Sequence, residues 1–335
     1  MAVGTGSLTF EAVPGWPDVP QAAGLIEAIG VAVDSQDLIY VFARADIPLL
    51  VFETDGTFVR GWGQGQFVRP HGISIGEDDT LYLVDDMGHS VRQFTGDGQL
   101  IRTIGPSGAP SDTGADGFDY RTIRPDAGPP FNLPTNLIIG PAGDLFITDG
   151  YGNARVHRFS AAGELIQSWG SPGNAPGQFH VPHGIASDGE RLYVADRENS
   201  RVQIFTPDGR LTAIWEDLAR PAQVHVDPAG HVFVFELGFH TGVFPWHSPD
   251  TSRPSSRMSI FDREGTLLTR WGSHGFPQTP EEFYAAHDMF LDSAGSLYTA
   301  EVKAAAAECV GHDTSTLPSL RKFVRCSQAG VTDYR

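Results

Sequence analysis

The sequence has very few cysteines. Its 335 residues include only Cys309 and Cys326, which are too few for a disulfide framework or for a zinc site built from cysteines. The sequence leaves open whether these two form a bridge. This cysteine usage fits the reducing cytoplasm, whereas a leader removed from the chain would mean an extracellular or periplasmic location.

Basic residues are also scarce. There are 23 lysines and arginines against 41 acidic residues, a formal net charge of −18. Nucleic acids and anionic membranes bind basic patches, and no apolar run approaches the roughly 20 residues of a membrane-spanning helix. The first residues, MAVGTGSLTFEAVPGW, lack the segments of a signal peptide. We therefore expect no nucleic-acid or membrane partner and, for the chain as it stands, a cytoplasmic location; the oligomeric state stays open.

Glycine and proline, by contrast, are plentiful, with 39 and 24 copies. They occur at the turns of a sequence pattern that recurs six times. Each copy usually has a proline, then a short apolar strand, a turn, a second strand ending in an acidic residue, and further strands. Turns such as Asp55-Gly56 and Asp208-Gly209 suit hairpins, because glycine adopts the positive φ that they require. The six units cover approximately residues 25–66, 67–105, 131–170, 179–217, 218–272 and 283–326.

Six units of four strands predict an all-β fold, a six-bladed β-propeller of the NHL-repeat type, in a single domain over residues 1–335. A pair of β-sandwiches would not repeat one phrase six times. The last unit lacks a fourth strand after Arg325, and the N-terminal strand 8–13 can supply it and close the ring. Insertions at 106–130 and 239–256 predict lids or specificity loops, or else mobile surface loops or oligomer contacts. A further loop is expected over 303–318.

Position-by-position comparison of the units isolates three histidines. Alternate blades lie a third of a turn apart, so imidazoles from alternate blades converge on the central channel. Three neutral imidazoles with one open position suit a divalent metal; we expect zinc, with iron, cobalt and manganese as alternatives. The other interpretation is that the histidines only line the channel. The position after the initial proline reads Ile29, His71, Thr135, His183, Ala222 and His287.

When the six units are aligned, a second equivalent position, at the end of the second strand, is almost entirely acidic. We call this set of residues the acidic column. We interpret these carboxylates as structural acceptors of hydrogen bonds between neighbouring blades. The column reads Ala43, Asp85, Asp149, Asp196, Glu236 and Glu301.

The position after the acidic column carries Arg44 and Arg197, and Tyr151 follows it in the third unit. In a propeller these residues and the histidines emerge on one face. Two guanidinium groups there would suit a small-molecule or peptide-like substrate that bears a carboxylate. Alternatively, each arginine forms a structural salt bridge.

Four segments resemble peptidyl-α-hydroxyglycine α-amidating lyase, the lyase half of the enzyme that makes amidated peptides. They are TDGYGNARV (148–156), PGQFHVPHGIA (176–186), VADRENSRVQIF (194–205) and AHDM (286–289). The resemblance runs from about Val31 to Tyr298 and is strongest in the second to fourth units. It implies a six-bladed propeller with zinc on its axis, held by the histidines His71, His183 and His287.

The same resemblance implies roles for further residues. It makes Tyr151 the catalytic tyrosine and Arg44 and Arg197 active-site arginines. It also implies a structural calcium held by the Asp288 carboxylate and the backbone carbonyls of Val31 and Ile73, and such oxygen ligands suit a hard cation.

The reaction implied by the resemblance splits the C–N bond of an N-acyl-α-hydroxyglycine, or a related carbinolamide, into an amide and glyoxylate or an analogous carbonyl product. The metal would polarise the hydroxyl group as a Lewis acid. Tyr151, held as a phenolate or hydrogen-bonded by Arg44, would act as general base, and either arginine could hold the substrate carboxylate. The chain departs from the family at Gly152, where the secreted enzymes have cysteine, and at Ala285-Ala286, where Met-Pro is expected, so the substrate stays open.

Two other functions remain open at this point. The same histidine site could use metal-bound hydroxide to hydrolyse an ester, lactone or amide. The propeller could also be a non-catalytic NHL binding module, although such a module does not explain the alternating histidines.

Overall fold

The computed structural model describes residues 1–126 and 128–326, and it confirms the all-β six-bladed propeller. Residues 127 and 327–335, which fall within the predicted insertion 106–130 and the predicted domain 1–335, lie outside the described residues.

The strands form six antiparallel sheets, one for each blade. The two strands that join the last blade come first in the chain: β1 (Ala2–Thr5) and β2 (Leu8–Ala12). Blade one consists of β3 (Glu27–Val33), β4 (Ile39–Arg44), β5 (Leu49–Phe52) and β6 (Phe58–Trp62). Blade two consists of β7 (Pro70–Ile75), β8 (Leu81–Asp85), β9 (Ser90–Phe94) and β10 (Leu100–Ile104). Blade three consists of β11 (Asn136–Ile139), β12 (Leu145–Asp149), β13 (Arg155–Phe159) and β14 (Leu165–Trp169).

The second half of the ring repeats this order. Blade four consists of β15 (Pro182–Ser187), β16 (Leu192–Asp196), β17 (Arg201–Phe205) and β18 (Leu211–Trp215). Blade five consists of β19 (Pro221–Val226), β20 (Val232–Glu236), β21 (Arg257–Phe261) and β22 (Leu267–Gly272). Blade six contains β23 (Ala286–Leu291), β24 (Leu297–Glu301) and β25 (Leu320–Arg325). Between β24 and β25 a short helix, α1 (Lys303–Glu308), replaces part of the expected loop.

The N-terminal strand closes the ring, as the sequence predicts. Strand β2 pairs antiparallel with β25 and so becomes the fourth strand of blade six. The side chain of Phe10 on β2 is fully buried and stacks on Trp271 of blade five. The structure adds a fifth strand that the sequence analysis did not predict, because β1 forms a hairpin with β2.

The burial of the strands decreases from the axis to the rim. The first strands of neighbouring blades contact one another around the channel, and the second strands, such as β8, are buried along their whole length. The outermost strands are exposed, for example at Leu100 and Ile101 of β10. The apolar core therefore lies between the blades, and side chains that begin on the first strands are held rigidly.

Two further observations bear on the sequence-based expectations. Cys309 and Cys326 are free in the structure and do not form a disulfide. Among the described residues, none of the helices has the length and apolar character needed to cross a bilayer.

Candidate metal centre and active-site cavity

The structure brings the three predicted histidines together on the channel axis. They lie on the first strands β7, β15 and β23, all three are buried, and their ring centroids are 4.7–5.0 Å apart. One potential ligand atom from each lies within 4.8 Å of the others, and no other such group of three occurs among the described residues. The members are His71, His183 and His287.

Each imidazole is oriented by the neighbouring blade. Nδ1 of His71 lies 2.6 Å from the carbonyl oxygen of Thr135, and Nδ1 of His183 lies 2.8 Å from that of Ala222. Nδ1 of His287 lies 2.7 Å from the carbonyl oxygen of Ile29. A carbonyl only accepts hydrogen bonds, so each Nδ1 carries the proton and each Nε2 keeps a free lone pair. Each of these carbonyls belongs to the residue at the equivalent position in the next blade, so the blades between the histidines orient the cluster.

Tyr151 joins this cluster through its phenol oxygen. The Oη atom lies 3.0 Å from Nε2 of His71 and 3.0 Å from Nε2 of His183. The phenol has one proton and can donate to only one of these nitrogens, so lone pairs exceed protons at the centre of the cluster. Burial, reinforced by neighbouring cationic groups, holds the pKa of His71 and of His183 well below the usual value, which keeps both imidazoles neutral. This donor set fits a divalent cation, whose metal–imidazole distance is about 2.0–2.1 Å for zinc.

Arg197 also contacts Tyr151. Its Nη1 donates to the phenol oxygen at 3.3 Å, and its Nε donates to Glu198 at 2.8 Å. The arginine is only 1% exposed, and its Nη2 group has no hydrogen-bond partner among the described residues. A buried charged donor without a partner is costly, so this atom is available to an acceptor group that enters the cavity.

Arg44 lies at the same cavity, but the expectation that it holds Tyr151 is wrong. Its Nη1 binds the carboxylate of Glu27 on the paired strand β3, and Tyr151 is instead held by Arg197. Glu27 also accepts hydrogen bonds from the backbone N–H groups of Ala304 and Ala305, so this ion pair anchors the start of α1. The guanidinium of Arg44 still lines the cavity next to the histidines.

The sequence analysis missed a further arginine at the site. Arg69, two residues before His71, also lines the cavity. Its Nη1 donates to Asp86 at 2.9 Å, and burial raises the pKa of Asp86 to about 6 against the opposing effect of Arg69. The signal was present in the columns, because Arg69 and Asp86 occupy the positions of Glu27 and Arg44 with the charges reversed.

The acidic column has a structural role, but within each blade rather than between blades. Asp85 accepts hydrogen bonds from the backbone N–H groups of Val68 and Arg69, at 2.9 Å each. Asp149 and Asp196 accept in the same way from the segments that precede their own first strands. Each buried carboxylate thus fixes the link that leads into the strand at the channel.

The two insertions meet above Tyr151. Phe118 from the first insertion and Phe244 from the second pack against the Tyr151 ring, with centroids 5.4 and 6.0 Å away. Phe244 in turn stacks on Trp246 at 4.9 Å. The insertions therefore form an aromatic roof over the histidine cluster, which separates it from solvent on that side.

A buried ion-pair network anchors the second insertion. Arg220 donates to Glu198 at 2.9 Å, to Nδ1 of His247 at 2.8 Å and to the carbonyl of Thr241 at 3.3 Å. Burial alone would raise the pKa of Glu198, but Arg220 and Arg197 lower it to about 2. The carboxylate is therefore ionised and links the roof to the arginine that contacts Tyr151.

The residues of the implied calcium site line a different cavity from the histidines. Asp288, Val31 and Ile73 all line that cavity. The Asp288 carboxylate accepts hydrogen bonds from Gln223 at 2.5 Å, Met289 at 2.8 Å and Val31 at 3.1 Å, and burial raises its pKa to about 7. A buried carboxylate whose donors are all uncharged is compatible with a cation, and calcium there remains a prediction.

The cavity at the histidines is small and mixed in character. It has a volume of about 120 Å³. Guanidinium groups face a phenol and an imidazole across it, so a carboxylate, a hydroxyl group and a metal could meet there. Its polar lining comprises Arg44, Arg69, Tyr151, Arg197 and His287.

Comparisons with known proteins agree with this architecture. Residues 179–205 match the model of the NHL repeat, and residues 22–107 match a family described as a 6-bladed beta-propeller. A gluconolactonase structure from Xanthomonas campestris superposes with a TM-score of 0.60 at 17% identity, covering 94% of this chain and 98% of that one. At that identity the likeness shows the fold alone.

Curated relatives are more informative about function. The chain is 29% identical to human NHL repeat-containing protein 3 over 69% of this chain and 67% of that protein. It is 27% identical to peptidyl-alpha-hydroxyglycine alpha-amidating lyase 2 of Drosophila melanogaster over 87% of this chain and 71% of that protein. In lyase 1 of the same organism, the match is 36% identical but spans only 26% of the protein. These distant relatives support an enzyme-like or binding function, and three buried histidines could bind a metal. The chain is thus a six-bladed propeller that contains a segment matching the NHL repeat and has distant similarity to amidating lyases.

Proposed function

We propose that the protein is a metal-dependent lyase that cleaves the C–N bond of an N-acyl-α-hydroxyglycine, or of a related carbinolamide. The hydroxyl O–H bond and the C–N bond break, a C=O bond forms, and the nitrogen gains a proton, which yields an amide and glyoxylate. One observation carries the proposal: the phenol oxygen of Tyr151 contacts two ring nitrogens of the histidine cluster and the guanidinium of Arg197.

The three histidines would hold the metal through Nε2, since each Nδ1 is committed to a backbone carbonyl. Zinc is the ion we expect, because neutral imidazoles in a three-histidine set are typical of catalytic zinc sites. When bound, it would supply Lewis-acid polarisation of the substrate hydroxyl group.

Tyr151 is the proposed general base. As a phenolate it accepts the hydroxyl proton of the substrate, and as a phenol it can return a proton to the departing amide nitrogen. The guanidinium of Arg197 donates a hydrogen bond to that oxygen and fixes its position. Arg44 has no part in holding the tyrosine oxygen, since its guanidinium binds Glu27.

Arg197 is also the proposed partner of the substrate carboxylate. Its buried Nη2 has no acceptor within residues 1–126 and 128–326, and a carboxylate in the cavity would provide one. Arg44 lines the same cavity and adds positive charge there. A small-molecule or peptide-like substrate with a carboxylate beside its hydroxyl group would satisfy both arginines.

Lysis is favoured over hydrolysis by the aromatic roof. Phe118 and Phe244 cover Tyr151 on one side, so water cannot approach the phenol from that direction. Elimination needs no water, whereas hydrolysis of an ester, lactone or amide consumes one molecule. The distant amidating lyases among the relatives also support lysis rather than hydrolysis.

The test is product analysis with zinc-loaded protein and N-acetyl-α-hydroxyglycine in ¹⁸O-labelled water. We expect acetamide and glyoxylate in equal amounts, without label in the acetamide, at a rate above that of the enzyme-free reaction. Simple esters and lactones serve as competing substrates. Labelled carboxylic acid from these substrates, with no acceleration of glyoxylate release, would establish hydrolysis instead; no turnover of either class would favour a binding module.

A further inference from the structure

A second, larger cavity opens next to the histidine site. It is a surface groove of about 880 Å³ between blades one and two, beneath the second insertion. The groove and the small inner cavity have five lining residues in common, so the groove continues the inner cavity to the surface. The shared residues are Arg44, Arg69, Val243, Pro245 and Ala305.

The inner cavity is too small for a complete acylated substrate. Its volume is about 120 Å³, against about 880 Å³ for the groove. That space suits the hydroxyl, carboxylate and central carbon of a hydroxyglycine. The acyl arm on the nitrogen must therefore lie outside, and the roof of Phe118 and Phe244 blocks the direction above Tyr151.

Arg69 and Arg44 flank the passage between the two cavities. Arg69 is held from two directions, by Asp86 at 2.9 Å and by the ring of Phe118, which its guanidinium covers at 4.5 Å. Arg44 is held by Glu27. Arg44 belongs to blade one and Arg69 precedes the first strand of blade two, so each of these two blades supplies one guanidinium group. Both residues line both cavities.

Beyond the passage, one part of the groove lining is apolar. It includes Ile26, Phe67 and Val68, with Val243 and Pro245 from the insertion. Ile26 and Val68 are 60% and 67% exposed, and neighbouring exposed apolar side chains beside a pocket are a feature of ligand-binding surfaces. The acidic residues Asp46 and Glu308 also line the groove, so an anionic arm is disfavoured.

We propose that the acyl arm of the substrate leaves the histidine site between Arg44 and Arg69 and lies, as an uncharged apolar chain, in this groove. The arm's carbonyl oxygen accepts a hydrogen bond from Arg69 in the passage. Negative charge develops on the amide as its nitrogen departs, and a guanidinium fixed at that position stabilises it. This inference rests on the proposed lyase function and names its substrate class.

Acyl-chain length tests the groove. For zinc-loaded protein we expect kcat/KM to rise from N-acetyl- to N-hexanoyl-α-hydroxyglycine by about 10-fold or more, since each fully buried methylene is worth about 0.8 kcal/mol, or roughly 4-fold. In Val68→Asp and Ile26→Asp the hexanoyl-to-acetyl ratio should fall by about 10-fold. Val59→Asp and Ile101→Asp, on exposed rim strands of the same blades, are matched controls and should keep the wild-type ratio. An equal ratio in all five proteins would overturn the inference.

Arg69→Met tests the carbonyl contact. We expect zinc content to be unchanged and kcat to fall by about 10–100-fold, with partial recovery in Arg69→Lys, because the lost interaction is strongest in the transition state. Wild-type kcat in Arg69→Met would overturn the role assigned to this arginine.

A binding measurement separates this inference from the proposed function. N-hexanoylglycine and N-acetylglycine lack the hydroxyl group and are not cleaved, so their affinities can be measured by calorimetry whether or not the protein is a lyase. Tighter binding of the hexanoyl compound, lost in Val68→Asp, supports the groove even without turnover. Equal affinities together with normal glyoxylate release would reject the groove and leave the lyase proposal intact.

Discussion

Tyr151 is the residue on which the proposed chemistry depends most. It is buried at the contact between the histidine cluster, Arg197 and the aromatic roof. A tyrosine with a purely structural role would need only its ring in this position. Its hydroxyl group instead faces two imidazole nitrogens, which is where a proton acceptor for a bound hydroxyl group has to be.

The Tyr151→Phe variant removes this hydroxyl group and keeps the ring. We predict that kcat for glyoxylate release falls by about 10²–10⁴-fold, the usual contribution of a general base, while zinc content stays at the wild-type level. Steady-state kinetics and elemental analysis measure the two quantities. Tyr193→Phe, which removes a hydroxyl group bonded to Asp188 in blade four, is the control. Normal turnover in Tyr151→Phe would reject the base role.

The burial of His225 leads to a separate prediction about how folding stability depends on pH. It lies against Phe290 in the channel wall, with ring centroids 4.6 Å apart, and burial lowers its pKa to about 4. Between pH 6.5 and 4 the unfolded chain therefore binds a proton here that the folded chain does not, so this group costs stability as the pH falls.

The measurement compares urea unfolding of the wild type and His225→Gln at pH 7.5 and pH 5.0. Relative to the wild type, the variant should gain about 2 kcal/mol at the lower pH, from a pKa difference of roughly 2.5 units. A difference between the two proteins that does not change with pH would show that His225 is not held neutral by the fold.

Individual residues differ in how well the sequence predicts them. The histidines could be found because alternation in one column is a one-dimensional pattern. The partner of Arg44 could not, because Glu27 and Tyr151 are both within reach of a long side chain and only the paired strands β3 and β4 decide between them. The unsatisfied Nη2 of Arg197 depends on three-dimensional packing and has no sequence signal.

At the scale of elements, the N-terminal strand has the clearest function. Strand β2 completes blade six by pairing with β25, and it places Phe10 in a cluster with Phe233 of blade five. The first and last parts of the chain are thereby joined in one sheet. Because sheets with open edges are prone to fraying, this junction should be critical for the stability of the ring.

The Phe10→Ala variant tests the closure. We predict a loss of about 3–5 kcal/mol of unfolding free energy, the usual cost of removing a buried phenylalanine, measured by chemical denaturation. Glu11→Ala changes an exposed residue of the same strand and should alter stability by no more than about 0.5 kcal/mol. If Phe10→Ala unfolds like the wild type, β2 does not stabilise the ring.

The sequence predicts where the two insertions lie but not which residues they contact. Their positions could be located because they interrupt the repeat, and lids were among the expected roles. Their contacts could not be predicted, since loops without periodicity carry no register. The pairing of Phe118 with Phe244 across Tyr151 depends on two segments more than one hundred positions apart in sequence.

At the scale of the whole molecule, the closed ring brings equivalent positions of the sequence repeat together at one site. Six similar first strands surround one channel, so three side chains that are distant in sequence meet at one height on its axis. The fold could be predicted almost completely because each blade corresponds to one copy of the sequence repeat. The overall charge of −18 gives no indication of the site, where Arg44, Arg69 and Arg197 line one small cavity.

The central claim is that this ring of histidines binds a catalytic metal, and elemental analysis of purified, zinc-replete protein tests it most directly. We predict about one divalent metal ion per wild-type chain at the histidine site and its loss in His183→Ala, which removes one of three ligands. His231→Ala, outside the cluster, is the control and should retain the ion. Equal metal content in the wild type and His183→Ala would contradict the account.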